Sequence, residues 1–491
     1  MKRAAGLLAL LASACSSMEP EYVRPDPAIP ASWPVGDPYL TQAEAGLPVL
    51  TYSQVFQDPR LQALIAEALV NNRDLMVAAS NIAATREQFR IQRAQQLPTL
   101  NGTASATVTG DKESYDAGFQ VPNFELDLFG RLRSLSHVQL ERYLATEAGA
   151  RATRLTLVAN LASAWLDHAA DSSLLRIAQD TAASAEKSVN LTRLRLNAGV
   201  APRTDLRQAE QILSQAQADL ARQRTAVAQD LNAMQLLIGA PVDPRLVSSS
   251  IDEAFGRISP VPAGLDSYVL LRRPDVLQAE FQLRAANAQI GAARAALFPR
   301  ITLTGLLGFA SSALAKLFTG GAFGWSAGAD ATYAIFQGGA GRANVRLSEA
   351  QRNAALATYQ HVIQTAFREV SDALARRGTI NDEIGARQRQ QAATADTYSL
   401  TEARYRAGVA AFLNVLDAQR SYYAAQQQMV QIKLTAAKNI VDIYQSIGGD
   451  ALLQTTPVCQ ALPTDTRRVN AAGADLCSPK LSIAPSAPRI P

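Results

Sequence analysis

The sequence contains one pattern twice, and this duplication restricts the fold more than any other feature. Residues 195–201 read Arg-Leu-Asn-Ala-Gly-Val-Ala, and 209 residues later, at 404–410, the chain reads Arg-Tyr-Arg-Ala-Gly-Val-Ala. Small and apolar residues follow both motifs at the three-and-four spacing of a coiled-coil seam. A second landmark also recurs, because Leu-Pro-Thr-Leu at 97–100 corresponds to Phe-Pro-Arg-Ile at 298–301. We therefore predict a two-fold internal repeat.

Each copy contains a helical run far longer than the helices of globular proteins. No proline occurs between Pro122 and Pro202, nor between Pro299 and Pro457. A helix over residues 134–197 would be about 95 Å long at about 1.5 Å per residue, whereas globular helices usually have about 8–20 residues. These runs favour long helices that pair as an extended coiled coil or as a hollow helical cylinder.

A glycine turn is predicted where each long helix ends. Gly199 and Gly408 stand where a helix C-terminus favours a left-handed residue. Asp205 follows the first turn and is a candidate N-cap of the returning helix. Each repeat should therefore end in a helix–turn–helix hairpin.

Four stretches alternate between apolar and polar residues, as strands with two different faces do. They occupy residues 100–109, 115–121, 301–309 and 325–333. Each can extend to about ten residues, the length of a tilted membrane strand, and an ordinary two-faced sheet packed on a helix is the alternative. In lipid, the open edges of four strands need partners, so two chains would supply about eight strands and three chains about twelve.

The N-terminus of the chain indicates an exported lipoprotein. Residues 1–14 combine a positive start, a short apolar stretch and small residues, which is typical of a secretory signal. Cys15 follows directly and resembles the acylated cysteine of bacterial lipoproteins, and an ordinary signal peptide cut near Cys15 is the alternative. We also predict a disulfide between Cys459 and Cys477 in the oxidising periplasm, the alternative being a disordered tail with incidental cysteines.

Motifs for catalysis, metals or cofactors are not recognisable in the sequence. His137, His168 and His361 lack metal-ligand spacing, and the glycines at 338–341 fit a strand-to-helix turn better than a phosphate loop. The net charge of +4 is spread along the chain, which argues against nucleic acid as a partner. We therefore predict no enzyme activity, no cofactor and no metal.

Several short motifs resemble, in content and in order, those of a known family. They are Glu-Tyr-Val-Arg-Pro at 21–25, Pro-Ala-Ser-Trp at 30–33, Leu-Arg-Arg-Pro-Asp-Val at 271–276 with the signature residues Arg273, Pro274 and Asp275, Ala-Glu at 279–280 and Phe-Pro at 298–299. The family is that of TolC-like outer-membrane efflux proteins, and the nearest branch is the NodT- and OprM-type lipoproteins that serve resistance-nodulation-division (RND) pumps. The resemblance covers roughly residues 15–450.

This resemblance implies an α+β membrane protein. Three copies would complete a twelve-stranded β-barrel in the outer membrane, and the long helices would form a periplasmic α-barrel. The palmitate-bearing, lipid-anchored homotrimer would export drugs or other small solutes passively, as in multidrug resistance. The turn tips, Gly199 with Val200 and Gly408 with Val409, would meet a periplasmic membrane-fusion adaptor coupled to an inner-membrane RND pump. The alternatives are the exit channel of a type I protein-secretion system and a periplasmic coiled-coil scaffold without a pore.

The resemblance also places a gate near the glycine turns. Asp205 and Asp417 match gate carboxylates of the family and Tyr405 matches a gate tyrosine, whereas Ala410 replaces a gate arginine and Asn414 an aspartate. We expect threefold symmetry to bring copies of Asp417 into a ring that favours cations. We also expect Asp205 to hydrogen-bond Tyr405, with a plain N-cap role for Asp205 as the alternative. The candidates to replace the missing arginine are Arg203, Arg404 and Arg406.

These patterns also divide the chain into units. In each repeat, a helix precedes a β-hairpin and a long helical pair follows it. The predicted units are a signal peptide (1–14), a lipid-anchored N-terminal segment (15–60), a first repeat (61–240) with a hairpin at about 98–128, a linker (241–270), a second repeat (271–450) with a hairpin at about 299–336, and a C-terminal tail (451–491).

Overall fold

The structure is a computed structural model that describes residues 17–449 apart from 31, 35, 37–38, 40–50, 111 and 260–266. The helices of this described part are α1 (Tyr52–Val55), α2 (Pro59–Asn71), α3 (Arg73–Ala94), α4 (Arg131–Asn197), α5 (Arg203–Ile238), α6 (Ile251–Phe255), α7 (Pro274–Ala295), α8 (Ala340–Arg406) and α9 (Phe412–Ser446). The strands are β1 (Asn101–Thr109), β2 (Lys112–Glu125), β3 (Arg300–Ser311) and β4 (Phe323–Thr332). Short 3₁₀ turns lie at Pro244–Leu246, Ser267–Arg272 and Leu314–Lys316.

The predicted repeat is visible in the lengths and starts of the helices. Helices α4 and α8 both contain 67 residues, and the returning helices α5 and α9 contain 36 and 35. Gly130 and Gly339 are N-caps of α4 and α8, with left-handed φ of 76° and 87°. The predicted two-fold repeat and α+β class are confirmed, and the glycines at 338–341 do form a strand-to-helix turn. The predicted unit boundaries remain a prediction.

The four strands form one antiparallel sheet in the order β1-β2-β3-β4. Two hairpins, one from each repeat, are joined by pairing between β2 and β3, with a register shift between Val121 and Phe124 beside Pro122. Proline lacks an amide hydrogen, so an irregularity in the ladder is expected next to it. Within the described chain, β1 and β4 each pair on one side only.

The main apolar core lies where the far ends of the helical hairpins meet α2, α6 and α7. Its largest fully buried side chains include Trp165, Tyr359, Tyr444 and Phe56. The indole of Trp165 donates a hydrogen bond to the carbonyl oxygen of Leu246 at 3.0 Å, which satisfies its buried N–H. Elsewhere α4 buries mainly small residues, so its neighbouring helices can approach closely.

The segment before α1 runs along helix α7. The amide of Asn287 donates to the carbonyl oxygen of Pro20 at 2.7 Å. A Cβ at Gly291 would lie 2.8 Å from the Cα of Glu19, so only glycine allows this approach. The carboxylate of Glu19 also lies 2.8 Å from the His137 ring, whose other nitrogen contacts Glu141. Hydrogen bonds from Glu141 and Glu19 raise the pKa of His137 to about 10, so a charged imidazolium fixes this segment to α4.

Helices able to cross a membrane were sought among the described residues, and none has the required length and apolarity.

Candidate functional site at the glycine turns

The two glycine turns have the same geometry, as the repeat predicts. Gly199 and Gly408 adopt left-handed φ values of 71° and 77°. The amide of Val200 donates to the carbonyl oxygen of Arg195 at 3.0 Å, and the amide of Val409 donates to that of Arg404 at 3.0 Å. These are the six-to-one hydrogen bonds of a Schellman motif, so glycine is required for backbone conformation at both tips.

Each turn presents an exposed valine. Val200 is 66% exposed and Val409 is 67% exposed. The two exposed valines occupy equivalent positions of the two repeats.

Asp205 lies inside helix α5 rather than at its cap, so the N-cap alternative is wrong. Helix α5 begins at Arg203 with Pro202 as the N-cap, and no side-chain hydrogen bond caps it. Asp205 instead stands in the first helical turn, where a carboxylate interacts favourably with the helix dipole. Asn414 takes the equivalent place, two residues after Phe412 begins α9.

Tyr405 does not form the expected hydrogen bond with Asp205 within the chain. Its side chain is buried, and its hydroxyl has no hydrogen-bond partner among the described residues. The guanidinium of Arg195 covers the Tyr405 ring, with 4.6 Å from its central carbon to the ring centroid. Arg195 also donates to the Tyr405 carbonyl oxygen at 3.3 Å. The expected bond is therefore replaced by an arginine–ring contact.

Arg195 was not predicted as the partner of Tyr405, because several arginines lie near the glycine turns in the sequence. Arg406 pairs with Glu402 on its own helix at 2.6 Å, while Arg203 and Arg404 are exposed. Arg195 belongs to the first repeat motif, at the position that Arg404 holds in the second. The two arginines look alike in sequence, and only the packing of α4 against the second hairpin distinguishes them.

Asn414 and Asp417 line one polar groove between α8 and α9. The groove has a volume of about 380 Å³ and is open to solvent. Three threonines one helical turn apart lie opposite the two residues, and the full lining is Thr394, Thr397, Thr401, Asn414, Asp417, Ala418 and Ser421. The groove can bind a hydrated cation or a polar solute, because carboxylate, amide and hydroxyl groups converge on it.

The signature Arg273-Pro274-Asp275 has a structural position away from the turns. Pro274 begins α7, and Asp275 accepts two hydrogen bonds from Arg273, the shorter at 2.7 Å. Arg273 also donates to the carbonyl oxygen of Ser446 at 2.6 Å and to Glu369 at 3.0 Å. Although burial disfavours its charge, Asp275 and Glu369 raise the pKa of Arg273 above its ordinary value. The signature therefore joins α7, α8 and α9.

A pair of carboxyl groups bridges α4 and α5 in the middle of the molecule. The Asp230 and Asp171 side chains hydrogen-bond each other, and Oδ2 of Asp230 is buried. Asp167 is engaged by Lys438 of α9 at 2.7 Å. Burial and the neighbouring carboxylates of Asp171 and Asp167 raise the pKa of Asp230 to about 7. The pair therefore shares a proton over the lower part of the physiological range.

Other predicted sites lie outside the described residues. The lipidation site Cys15 and the disulfide partners Cys459 and Cys477 fall there, so these remain predictions. Among the described residues, no group of His, Cys, Asp and Glu could hold a metal ion.

Known proteins resemble the chain over nearly its whole length. The solvent efflux pump outer membrane protein SrpC of Pseudomonas putida is 40% identical over 464 residues, which cover 90% of this chain and 97% of that protein. The outer membrane protein OprJ of Pseudomonas aeruginosa is 38% identical over 457 residues, covering 90% and 94%. The open-state crystal structure of the Neisseria gonorrhoeae MtrE outer membrane channel matches with a TM-score of 0.80 and 33% identity, covering 89% of this chain and 99% of that one. The outer membrane efflux protein family matches residues 64–240 and 266–449, and the chain belongs to this family.

Proposed function

We propose that this outer-membrane efflux channel is the exit duct of a tripartite RND-type pump. Drugs or other small solutes would pass through it from the periplasm and the inner-membrane pump to the exterior. The duct itself needs no catalytic residue, because the inner-membrane pump supplies the energy. Relatives named as outer membrane proteins of solvent, toluene and antibiotic efflux pumps support this assignment.

The observation that carries the proposal is the four-stranded sheet with one unpaired side on β1 and on β4. Unpaired backbone groups are costly in lipid, because no water is present to bond them. Pairing β4 of one copy with β1 of the next closes the sheet, and three copies give about twelve strands. In this arrangement the long helices of the three chains continue the duct into the periplasm.

The gate of the proposed duct lies at the glycine turns. Three copies of Asp417, with the polar groove that it shares with Asn414, would line the constriction. The exposed tips at Val200 and Val409 would contact the periplasmic adaptor. The lipid on Cys15 would anchor the segment that Glu19 and Asn287 hold against α4 and α7.

Conductance of the purified protein in planar lipid bilayers tests this function. We expect discrete single-channel currents from trimers, with a preference for cations that falls in Asp417→Asn. The variant Asp180→Asn, an exposed carboxylate on α4, serves as the control for charge. A water-soluble monomer that produces no currents would instead support the scaffold without a pore.

A further inference from the structure

The two helical hairpins of one chain, α4–α5 and α8–α9, meet beside their glycine turns. The contact contains an apolar cluster drawn from all four helices, which includes Val189, Ala209, Tyr405, Phe412, Val415 and Leu416. Apolar packing of this kind is non-directional, so it favours contact without fixing how the hairpins are placed.

Arg195 adds a directional contact to this cluster. It lies in the last turn of α4, yet its guanidinium reaches the last turn of α8. There it donates to the Tyr405 carbonyl oxygen at 3.3 Å and lies 4.6 Å from the centre of the ring. Carbonyl groups at a helix C-terminus carry partial negative charge, and so does the face of an aromatic ring. A single cation therefore contacts two electron-rich groups of the other hairpin.

The neighbouring arginine of α4 has a different partner. Arg193 lies 3.6 Å from Glu210 of α5, so its ion pair stays within one hairpin. Arg195, two residues further on, links the two hairpins. The two side chains carry equal charge, and only one of them restrains the relative position of the hairpins.

We propose that Arg195 is the latch of the gate, a positioning residue that holds α8–α9 against α4–α5 and keeps the periplasmic end narrow. This role rests on the proposed function, because a latch acts only in a channel. In this proposal Arg195 holds the Tyr405 ring and carbonyl group rather than the Tyr405 hydroxyl, which has no hydrogen-bond partner in the described part of the chain. The latch thereby takes the place of the arginine absent at Ala410.

Single-channel recording of four variants tests the latch. In Arg195→Ala, loss of the cation–ring and carbonyl contacts should raise the open probability about tenfold. Arg195→Lys keeps the charge without the flat guanidinium and should restore part of the closed state. Arg193→Ala removes the same charge and should behave as wild type. Tyr405→Phe removes only the hydroxyl and should also remain closed.

Each outcome discriminates. If Arg195→Ala opens no more often than Arg193→Ala, the latch is wrong although the channel function stands. If Tyr405→Phe opens as much as Arg195→Ala, the hydroxyl is the held group and the assignment is again wrong. If wild type and all variants fail to conduct, the proposed function and the latch fall together. Partial return to the closed state in Arg195→Lys supports a latch over a folding defect. Both Arg195 variants must also still assemble as trimers.

Discussion

At the scale of single residues, the buried guanidinium of Arg273 joins three helices. It contacts Asp275, Glu369 and the carbonyl oxygen of Ser446. We expect Arg273→Ala to destabilise the protein by about 2–4 kcal/mol, because several charge-assisted hydrogen bonds are lost and a cavity remains. Denaturant unfolding followed by circular dichroism measures this loss, with the exposed neighbour Arg272→Ala as control. Equal losses in the two variants would show that Arg273 does not join the helices.

Residue roles were predictable from the sequence only where the backbone alone determines them. The left-handed φ of Gly199 and Gly408 follows from their place after a long helix. The partner of Tyr405 did not follow, since it depends on which helix of the other repeat packs nearby. Asp205 was misplaced as a cap because α5 begins earlier, at Arg203 with Pro202 as its N-cap.

At the scale of elements, a pair of glycines permits the pairing of β2 with β3. Gly118 and Gly308 are opposite each other in the ladder. A Cβ on either would lie 2.6 Å from a carbonyl oxygen of the other strand, a distance that real contacts do not allow. We expect Gly118→Ala to cost about 1–3 kcal/mol, read as a lower thermal midpoint of the trimer. Gly305→Ala, whose added Cβ meets no heavy atom of the described residues within 4 Å, is the control, and similar midpoints would refute the close approach.

The strands themselves were predictable, but this pairing was not. Alternation of apolar and polar residues indicated all four strands and both hairpins. Pairing of β2 with β3 joins residues from different repeats, and no local turn specifies it. The sheet order therefore comes from the packing of the two repeats, which a local pattern does not contain.

Helices α4 and α5 should separate more readily as the pH rises. The folded protein holds a proton on Asp230 up to about pH 7, whereas the unfolded chain releases it near its ordinary pKa of about 4. The folded state therefore binds more protons in this window, and stability from this group falls as pH rises from about 4 to about 7. Above about pH 7, the Asp230 and Asp171 carboxylates are both charged and repel each other.

Replacement of Asp230 by Asn tests this pH effect. Asp230→Asn keeps a hydrogen-bond donor toward Asp171, so it should be more stable than wild type by about 2 kcal/mol near pH 8. The two proteins should converge near pH 4. Thermal unfolding across this range gives the difference curve. The variant Asp180→Asn removes an exposed carboxylate of the neighbouring helix α4 and should follow wild type, and a flat difference for Asp230→Asn would exclude a shared proton.

At the scale of the whole molecule, duplication places two equivalent glycine turns, the tips of the two helical hairpins, side by side. Val200 and Val409 are 66% and 67% exposed, and three chains would present six such side chains in a ring. The paired glycine turns were predictable from the sequence because the repeated motif contains the turn. The strands alone did not predict closure by three copies, since four strands per chain are compatible with other totals, and only the family resemblance implied three.

A double variant, Val200→Asp with Val409→Asp, tests whether the tips bind an adaptor. Both side chains lie in exposed turns, so we expect trimers and conductance to be retained while capture of the adaptor falls at least about tenfold, because apolar contact is replaced by charge that must be desolvated. Capture of a purified membrane-fusion adaptor on immobilised trimers measures the effect. Leu236→Asp is the control, since this leucine is 80% exposed near the opposite end of α5, about 50 Å along the helix axis from its start. Because the control changes the same kind of surface far from the turns, equal capture by the double variant and the wild type would place adaptor binding elsewhere on the helices and leave the tips to the gate alone.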